Sequence, residues 1–379
     1  MREVSGVEPI GLYIHIPFCV SKCPYCDFHS AVLGSPLQAQ AALDAYADGL
    51  LRALNLWASR LPATADTLYF GGGTPSLMGG ERLARVIAEA QRLFGLKDAE
   101  ITLEANPADD LADTLSAFAA AGGNRLSLGM QSAVPAELRL LGRRHTPADV
   151  ARTVADARRA GIDNISLDVM LGIGGQTAAT ACHSVDVAAE LGATHLSAYL
   201  LKLEPGTPYG VRPPADLPSE DETVELYHAA FARMEHHGYR QYEISNAALP
   251  GRESRHNLKY WDSRPYLGIG PAASSCVGGK RFTYPRDTAA FIAGGEPTED
   301  PWAGAAVGSA EEYALLRLRL TAGLTAAAFS ARFGGPLPTE WVERAAALPP
   351  SLVITDGEGI RLTREGFLLS NAVISRIVG

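Results

Sequence analysis

Strand-like and helix-like segments alternate along the first half of the chain, and this alternation constrains the fold more than any other feature. Between the strand candidates lie segments rich in Ala, Leu and Arg with helical spacing, such as Leu43–Trp57 and Glu81–Phe94. Repeated alternation of this kind predicts a parallel sheet, either open or closed into a barrel. The strand candidates are Leu12–Ile16, Thr67–Phe70, Ile101–Glu104, Arg125–Leu128, Asn164–Val169 and His195–Leu200.

Polar or glycine-rich segments follow nearly every one of these strands. They are a cysteine cluster and the segments GGGTPS, EANP, GMQS and GIGGQT. In a βα barrel the functional residues lie on the loops at the carboxyl ends of the strands. The chemistry of this chain is therefore expected at that end of the sheet.

Three of the five cysteines lie within one short segment, YIHIPFCVSKCPYCDFHS, as Cys19, Cys23 and Cys26. Their C-x3-C-x2-C spacing differs from the paired C-x2-C units of most structural zinc sites. It also provides one ligand fewer than the four cysteines that usually hold a [4Fe-4S] cluster, which would leave one iron open. A Cys3His zinc site that uses His15 or His29 is the alternative.

Bulk properties exclude several classes of protein. A length of 379 residues suggests about two or three domains, and 47% apolar residues suffice for a large core. A net charge of -9 argues against a general nucleic-acid binder. No signal peptide or apolar run of membrane-spanning length is evident. An odd number of cysteines, three of them clustered, fits a reducing cytoplasm better than a disulfide framework.

A second motif, Gly71 to Pro75 (GGGTP), directly follows the strand Thr67–Phe70. Together the two motifs resemble those of the radical S-adenosylmethionine (SAM) superfamily. The resemblance implies a [4Fe-4S] cluster on the three cysteines, with the amino and carboxylate groups of SAM on the open iron. It also implies an α/β fold, a partial (β/α)6 TIM-like barrel with an α+β C-terminal extension. Gly72, Gly73 and Thr74 would then contact the SAM amino group.

Further SAM-binding residues follow from the closer resemblance to oxygen-independent coproporphyrinogen oxidases and their HemW relatives. In these proteins an acidic residue contacts the SAM ribose, and Glu104 matches it here. An Arg contacts the SAM carboxylate, and Arg143 matches it, although the adjacent Arg144 could be mistaken for it. One departure is Gly174, where the family pattern would have a proline. The same resemblance assigns cofactor-binding positions to Tyr13, Tyr25, Gln131 and Asp168.

Two features separate the relatives. The oxidase pattern is C-x3-C-x2-C-x-C, with a fourth cysteine. This chain has Phe28 at that place, and in this absence of the fourth cysteine it is similar to HemW haem chaperones. The segment SRHNLKYW contains H-N-x-x-Y-W, which is typical of HemW and associated there with haem. His256 is therefore the candidate axial ligand of haem iron, although an isolated histidine is more often a hydrogen-bonded core residue.

Three other residues carry weaker interpretations. Ser274 stands where the family often carries a His, so any haem-related role of that His is lost here or taken over. Cys276 could serve as a soft iron ligand, but it is more often an inert buried thiol. Cys182 is expected to pack within a helix.

The chain divides into three predicted regions: a barrel over residues 1–215, a connecting region over 216–305 that contains H-N-x-x-Y-W, and a small winged-helix-like module over 306–379. A proline-rich linker over 205–218 ends the barrel. In the last region, Asp356-Gly357 between two apolar runs predicts a hairpin.

The resemblance therefore implies a haem chaperone that binds haem and passes it to acceptor proteins, and the cysteine usage fits the cytoplasm. Two alternatives stay open: an oxygen-independent coproporphyrinogen III oxidase, which the resemblance allows, and a structural zinc protein, which the cysteines alone allow. No nucleic-acid partner is expected. Membrane contact during delivery and formation of a homodimer remain open.

Overall fold

The structure, a computed structural model, describes residues 8–300 and 307–379. Its first half alternates strands and helices in this order: β1 (Ile10–Ile16), β2 (Phe18–Cys19), β3 (Ala31–Val32), α1 (Pro36–Arg60), β4 (Ala65–Gly72), a 3-10 turn (Pro75–Met78), α2 (Gly79–Phe94), β5 (Glu100–Ala105), α3 (Ala112–Ala120), β6 (Arg125–Gln131), α4 (Pro135–Leu140), α5 (Pro147–Arg159), β7 (Asn164–Leu171), α6 (Ala178–Glu190) and β8 (His195–Leu200).

The connecting region adds short elements: α7 (Pro208–Val211), α8 (Glu220–His236), β9 (Arg240–Gln241), β10 (Asn246–Ala248), α9 (Arg255–Trp261), β11 (Tyr266–Ile269), β12 (Ser274–Val277), β13 (Lys280–Thr283), α10 (Thr288–Ile292) and β14 (Thr298–Glu299). The C-terminal part contains α11 (Ala310–Arg317), β15 (Leu324–Thr325), α12 (Ala326–Phe333), α13 (Thr339–Ala346), β16 (Val353–Asp356), β17 (Gly359–Leu362), α14 (Arg364–Leu368) and α15 (Ser370–Val378).

Six parallel strands form the centre of one sheet in the order β1-β4-β5-β6-β7-β8. These are the six strands that the sequence predicts, and the parallel α/β fold is confirmed. Strands of the connecting region extend both edges, since β11 pairs with β1 and β10 pairs with β8. The strand order is linear, with β14 and β9 at its two ends, as in an open, partial barrel.

The two faces of the central strands differ in chemistry because side chains alternate along a strand. On β1, Leu12 and Ile14 are fully buried in the main apolar core, together with Leu50 of α1. Burial of each such side chain contributes roughly 1.5–3 kcal/mol. The opposite face carries Tyr13, and β4 places Tyr69 beside it, with 6.2 Å between the ring centroids. This second face is polar and positions the candidate site.

The C-terminal part has a three-stranded sheet in the order β15-β17-β16 and an apolar cluster of its own that includes Trp341. The predicted hairpin is confirmed, because β16 pairs antiparallel with β17 and Asp356 lies opposite Gly359. The predicted boundary at residues 305 and 306 lies outside the described residues. The division into three regions stays a prediction.

The proline-rich linker over 205–218 packs against the barrel. The Tyr209 amide donates to the Pro24 carbonyl at 3.0 Å, and the Gly175 amide donates to the Asp216 carbonyl at 2.8 Å. The linker thereby supports the cysteine segment from one side. Among the helices of residues 8–300 and 307–379, none has the length and apolar character needed to cross a membrane.

Candidate functional site

The cysteine loop leaves the sheet at the end of β1 and is closed at its base by pairing between β2 and β3. Phe18 lies opposite Ala31, and Cys19 lies opposite Val32. The Cys26 amide donates to the Cys23 carbonyl at 3.2 Å, which folds the loop into a turn. Cys19 is buried, whereas Cys23 and Cys26 are half-buried. The closed base therefore brings all three thiols onto one short loop.

Two polar side chains from other loops reach these thiols. The Thr74 hydroxyl lies 3.7 Å from Cys19 Sγ, and Arg143 Nη1 lies 3.7 Å from Cys23 Sγ. Burial raises the pKa of the Cys26 thiol, so this group needs positive charge nearby to become a thiolate ligand. The donors and the arginine suit a negatively charged, thiolate-bound cluster.

Of the two histidines considered for a single-metal site, His15 is not available as a ligand. In the described part of the chain, no three His, Cys, Asp or Glu side chains converge closely enough to hold one metal ion. Zinc would need its ligand atoms about 2.0–2.3 Å from the metal. His15 is engaged at both nitrogens, since Nε2 donates to the His29 carbonyl at 2.9 Å and Nδ1 accepts from the Tyr13 hydroxyl at 3.1 Å.

The glycine segment packs directly against the cysteine loop. The Gly73 amide donates to the Ile16 carbonyl at 2.8 Å, and the Thr74 amide donates to the Phe18 carbonyl at 2.7 Å. A Cβ on Gly73 would lie 2.6 Å from the Phe18 carbonyl oxygen and 3.0 Å from Cys19 Sγ. The absence of a side chain is therefore required by this close approach.

Two acidic side chains lie on the polar face of the sheet. Glu104 of β5 accepts from the Tyr69 hydroxyl at 2.8 Å and from the Gly72 amide at 3.1 Å. Burial raises the pKa of Glu104 to about 7, with a further upward contribution from Asp168. Burial also raises the pKa of Asp168 on β7 to about 6. A cationic ligand beside this pair would favour the ionised carboxylates.

Gln131 and Arg143 lie side by side next to the cysteine loop. A Cβ built on Gly129 would lie 2.9 Å from Arg143 Nη2 and 2.9 Å from Gln131 Nε2. In the residues that the structure describes, the buried atoms Gln131 Oε1 and Arg143 Nε have no hydrogen-bond partner. Such unpaired buried groups are costly, and a polar ligand at this place would satisfy them.

The structure also distinguishes Arg143 from its neighbour. Arg143 donates to the Gly129 carbonyl at 2.8 Å and faces Cys23. It also interacts with Tyr25 on the cysteine loop. Arg144 instead forms an ion pair with Asp109 at 3.0 Å. Of the two, Arg143 has the geometry of a ligand-binding side chain.

His256 occupies a closed position on the polar face and is 1% exposed. Nδ1 shares a 2.8 Å hydrogen bond with the Thr67 hydroxyl, and Nε2 shares one of 2.8 Å with the Tyr260 hydroxyl. Burial, followed by Lys259 and Arg125, lowers the pKa of His256 to about 3. Both nitrogens of the neutral ring are engaged, so haem ligation by His256 stays a prediction that requires Nε2 to leave Tyr260.

The sequence analysis missed the buried charge beneath the acidic pair. Arg125, at the first position of β6, is 2% exposed, and its charge acts on both Glu104 and Asp168. Burial also raises the pKa of Glu243 to about 7, and the charges of Glu243 and Asp168 both act on Tyr199. The available signal was a charged residue at the start of an otherwise apolar strand, RLSLGMQ.

Two family models match the chain. Residues 13–188 match the radical SAM superfamily, and residues 309–369 match the HemN C-terminal domain. The chain is 36% identical to a protein named heme chaperone HemW from Mycobacterium tuberculosis, over 98% of this chain and 95% of that protein. It is 34% identical to heme chaperone HemW from Bacillus subtilis, over 97% of this chain and 98% of that protein.

Among solved structures, the chain is similar to coproporphyrinogen III oxidase (HemN) from Escherichia coli. The TM-score is 0.79 at 22% identity, and the match covers 97% of this chain and 90% of that one. This similarity shows the fold. The identity to the two bacterial relatives along nearly their whole length, together with the superfamily match, shows the family.

Proposed function

We propose, since this chain belongs to the HemW family of the radical SAM superfamily, that it is a haem chaperone, which binds haem and passes it to acceptor proteins. The observation that carries this proposal is the similarity to proteins of that name along nearly the full length of the chain. Phe28 adds support, because the oxidase pattern has a fourth cysteine at this position. Here the position is held by a phenylalanine that is 61% exposed.

In this proposal Cys19, Cys23 and Cys26 hold a [4Fe-4S] cluster, which together with SAM supplies reductive radical chemistry when bound. Support comes from the fit of the surroundings. The Thr74 hydroxyl and the Arg143 guanidinium both lie 3.7 Å from a cysteine sulfur, and such polar contacts stabilise thiolate charge.

The chain's own residues would bind SAM by matching its charges. Arg143 pairs with the carboxylate, and the backbone of Gly72, Gly73 and Thr74 faces the amino group. Glu104 accepts from the ribose hydroxyls. Further contacts come from Tyr13, Tyr25, Gln131 and Asp168. The raised pKa of both acidic groups supports the proposal, because the sulfonium charge of SAM would stabilise them as carboxylates.

The proposed partners are proteins that accept haem. They include acceptor proteins located at a membrane. Three apolar side chains on or beside the cysteine loop, Val20, Phe28 and Val32, are 43%, 61% and 56% exposed. Exposed apolar side chains at one place favour contact with a partner. The cytoplasm is the proposed location, since the cysteines of the cluster need a reducing environment.

The second candidate is oxygen-independent coproporphyrinogen III oxidase. The shared fold with the E. coli oxidase favours it. Phe28 weighs against the oxidase function, because the oxidase pattern has a cysteine at this position.

A haem-transfer assay tests the chaperone function. Cluster-reconstituted protein is loaded with haem and mixed with a haem-free acceptor protein, and the Soret spectrum of the separated acceptor is followed. We expect the acceptor to gain haem faster than from an equal concentration of free haem with albumin. Retention of all haem by the loaded protein would contradict a chaperone.

A further inference from the structure

A cavity of about 260 Å³ opens between the cysteine loop and the strands beyond β1. It lies beside the predicted SAM residues but is lined mainly by others, among them Phe28, His29, Tyr260, Tyr266 and Arg286. The volume is slightly below the usual range for small-molecule pockets, about 300–1,000 Å³. A ligand larger than the cavity would therefore be held along one edge and leave its remainder exposed.

The walls of this cavity are aromatic. Tyr260 meets Tyr266 edge to face, with 4.6 Å between ring centroids at 89°. Phe28 faces the cavity while 61% of it stays exposed to solvent. Exposure of a large aromatic ring costs free energy, and a flat conjugated ligand would cover it. Aromatic walls of this kind favour planar ligands through stacked and edge-to-face contacts.

His29 brings an available imidazole nitrogen to the cavity. Its Nε2 lies 3.4 Å from the Thr288 hydroxyl, a long contact, and within the described ranges Nδ1 has no hydrogen-bond partner. Burial and the neighbouring Arg286 lower the pKa of His29, which favours the neutral ring that a metal ligand needs. By contrast, His15 and His256 use both nitrogens. His29 is thus the cavity histidine best able to ligate a metal centre.

Arg286 brings a positive charge to the rim. Within residues 8–300 and 307–379 it makes no ion pair, and its charge acts on His15 and His29. A guanidinium without a carboxylate partner beside a cavity favours an acidic ligand, because Arg binds carboxylates through two parallel hydrogen bonds. The occupant indicated by all three features is planar, carries carboxylates and accepts an imidazole ligand.

We infer that this cavity is the haem-binding site, with His29 as the iron ligand, Arg286 paired with a propionate and Phe28 against the face or edge of the macrocycle. The inference rests on the proposed function and refines it. Haem held along one edge stays accessible to an acceptor, which suits a carrier that must release it. Ser274 lines the same cavity, so His29 is placed to take over a role that a histidine at that position would have.

Haem titration of the full-length, cluster-reconstituted protein tests the site. The variants are His29→Ala and Arg286→Gln. The matched controls are His183→Ala and Arg240→Gln, which change exposed residues on α6 and β9. Iron and sulfide content checks that every variant holds its cluster. Affinity and the position of the ferric Soret band are the two readouts.

We expect His29→Ala to weaken haem binding roughly tenfold or more, since even residues that only support a metal ligand are worth 10–100-fold. The Soret band should shift, and added imidazole should return it to the wild-type position. Arg286→Gln should weaken binding about two- to fivefold, as for an exposed ion pair, with the band unmoved. Both controls should match the wild type.

A His29→Ala variant with wild-type affinity and an unmoved Soret band would overturn the assignment. If the wild-type Soret band is lost in His256→Gln and kept in His29→Ala, His256 is the iron ligand instead. If the wild-type protein itself binds no haem, the proposed chaperone function fails, and that outcome is distinct from failure of the site alone.

Discussion

Replacement of Glu104 by Gln should stabilise the cofactor-free protein at alkaline pH while it weakens SAM binding. Burial, with a further upward contribution from Asp168, raises the pKa of Glu104 from 4.5 to about 7. The folded protein therefore binds this proton more tightly than the unfolded chain does. Stability is consequently lost as the pH rises from the unfolded pKa through the folded pKa.

The size of the effect follows from the pKa values. Each pKa unit corresponds to about 1.4 kcal/mol, so the rise from 4.5 to about 7 costs about 3 kcal/mol once the carboxyl is ionised in both states. Gln carries no charge and avoids this cost. Its amide can accept from the Gly72 amide and donate to the Tyr69 hydroxyl oxygen, so the packing is retained.

Urea unfolding of wild type and Glu104→Gln at pH 5 and pH 8 measures the effect. We expect the variant's advantage in free energy of unfolding to grow by about 2.5 kcal/mol between the two pH values. Glu89→Gln is the control, because Arg92 lowers the pKa of Glu89 to about 2. Its carboxyl is ionised at both pH values, so this substitution should change stability by nearly the same amount at pH 5 and pH 8. An equal difference between wild type and Glu104→Gln at both pH values would refute the reasoning.

Two further substitutions test the proposed SAM and cluster sites. Arg143→Lys should weaken SAM binding to the reconstituted protein about tenfold, since Lys cannot form the two parallel hydrogen bonds of Arg; the surface change Arg144→Lys should have little effect, and equal losses in both would contradict the assignment. Gly73→Ala should lower the iron and sulfide content from about four of each per chain, because its Cβ would lie 3.0 Å from Cys19 Sγ. Gly335→Ala, where a Cβ meets nothing within 4 Å, should keep the full content, and one zinc per chain in the wild type would exclude the cluster.

The sequence predicts the long parallel strands well, because buried runs such as Leu12–Ile16 are bounded by polar segments. The observed strands mostly extend one to three residues further, since ladder hydrogen bonds continue beyond the apolar run, as β1 does from Ile10. The short strands β9 to β14 have two to four residues each, too few to give a periodic signal.

The candidate site was predictable where the residues lie in local motifs. The residues of the cysteine cluster lie close together in sequence, as do those of the glycine segment, and the two motifs resemble a known pattern. Contacts between distant parts of the chain were not predictable. Thr67 and His256 are 189 residues apart, and the hydrogen bond between them engages Nδ1 of the imidazole. Likewise, nothing in the sequence relates His29 to Arg286, because the fold alone brings them to one cavity.

One paired measurement tests the central claim most directly. A single anaerobically reconstituted sample, with cluster and SAM present, is titrated with haem and separately supplied with coproporphyrinogen III and a reductant. A haem chaperone of this family should bind about one haem per chain, with a defined Soret band, and form no protoporphyrinogen. Formation of the decarboxylated product by a protein that binds no haem would contradict the account and favour the oxidase.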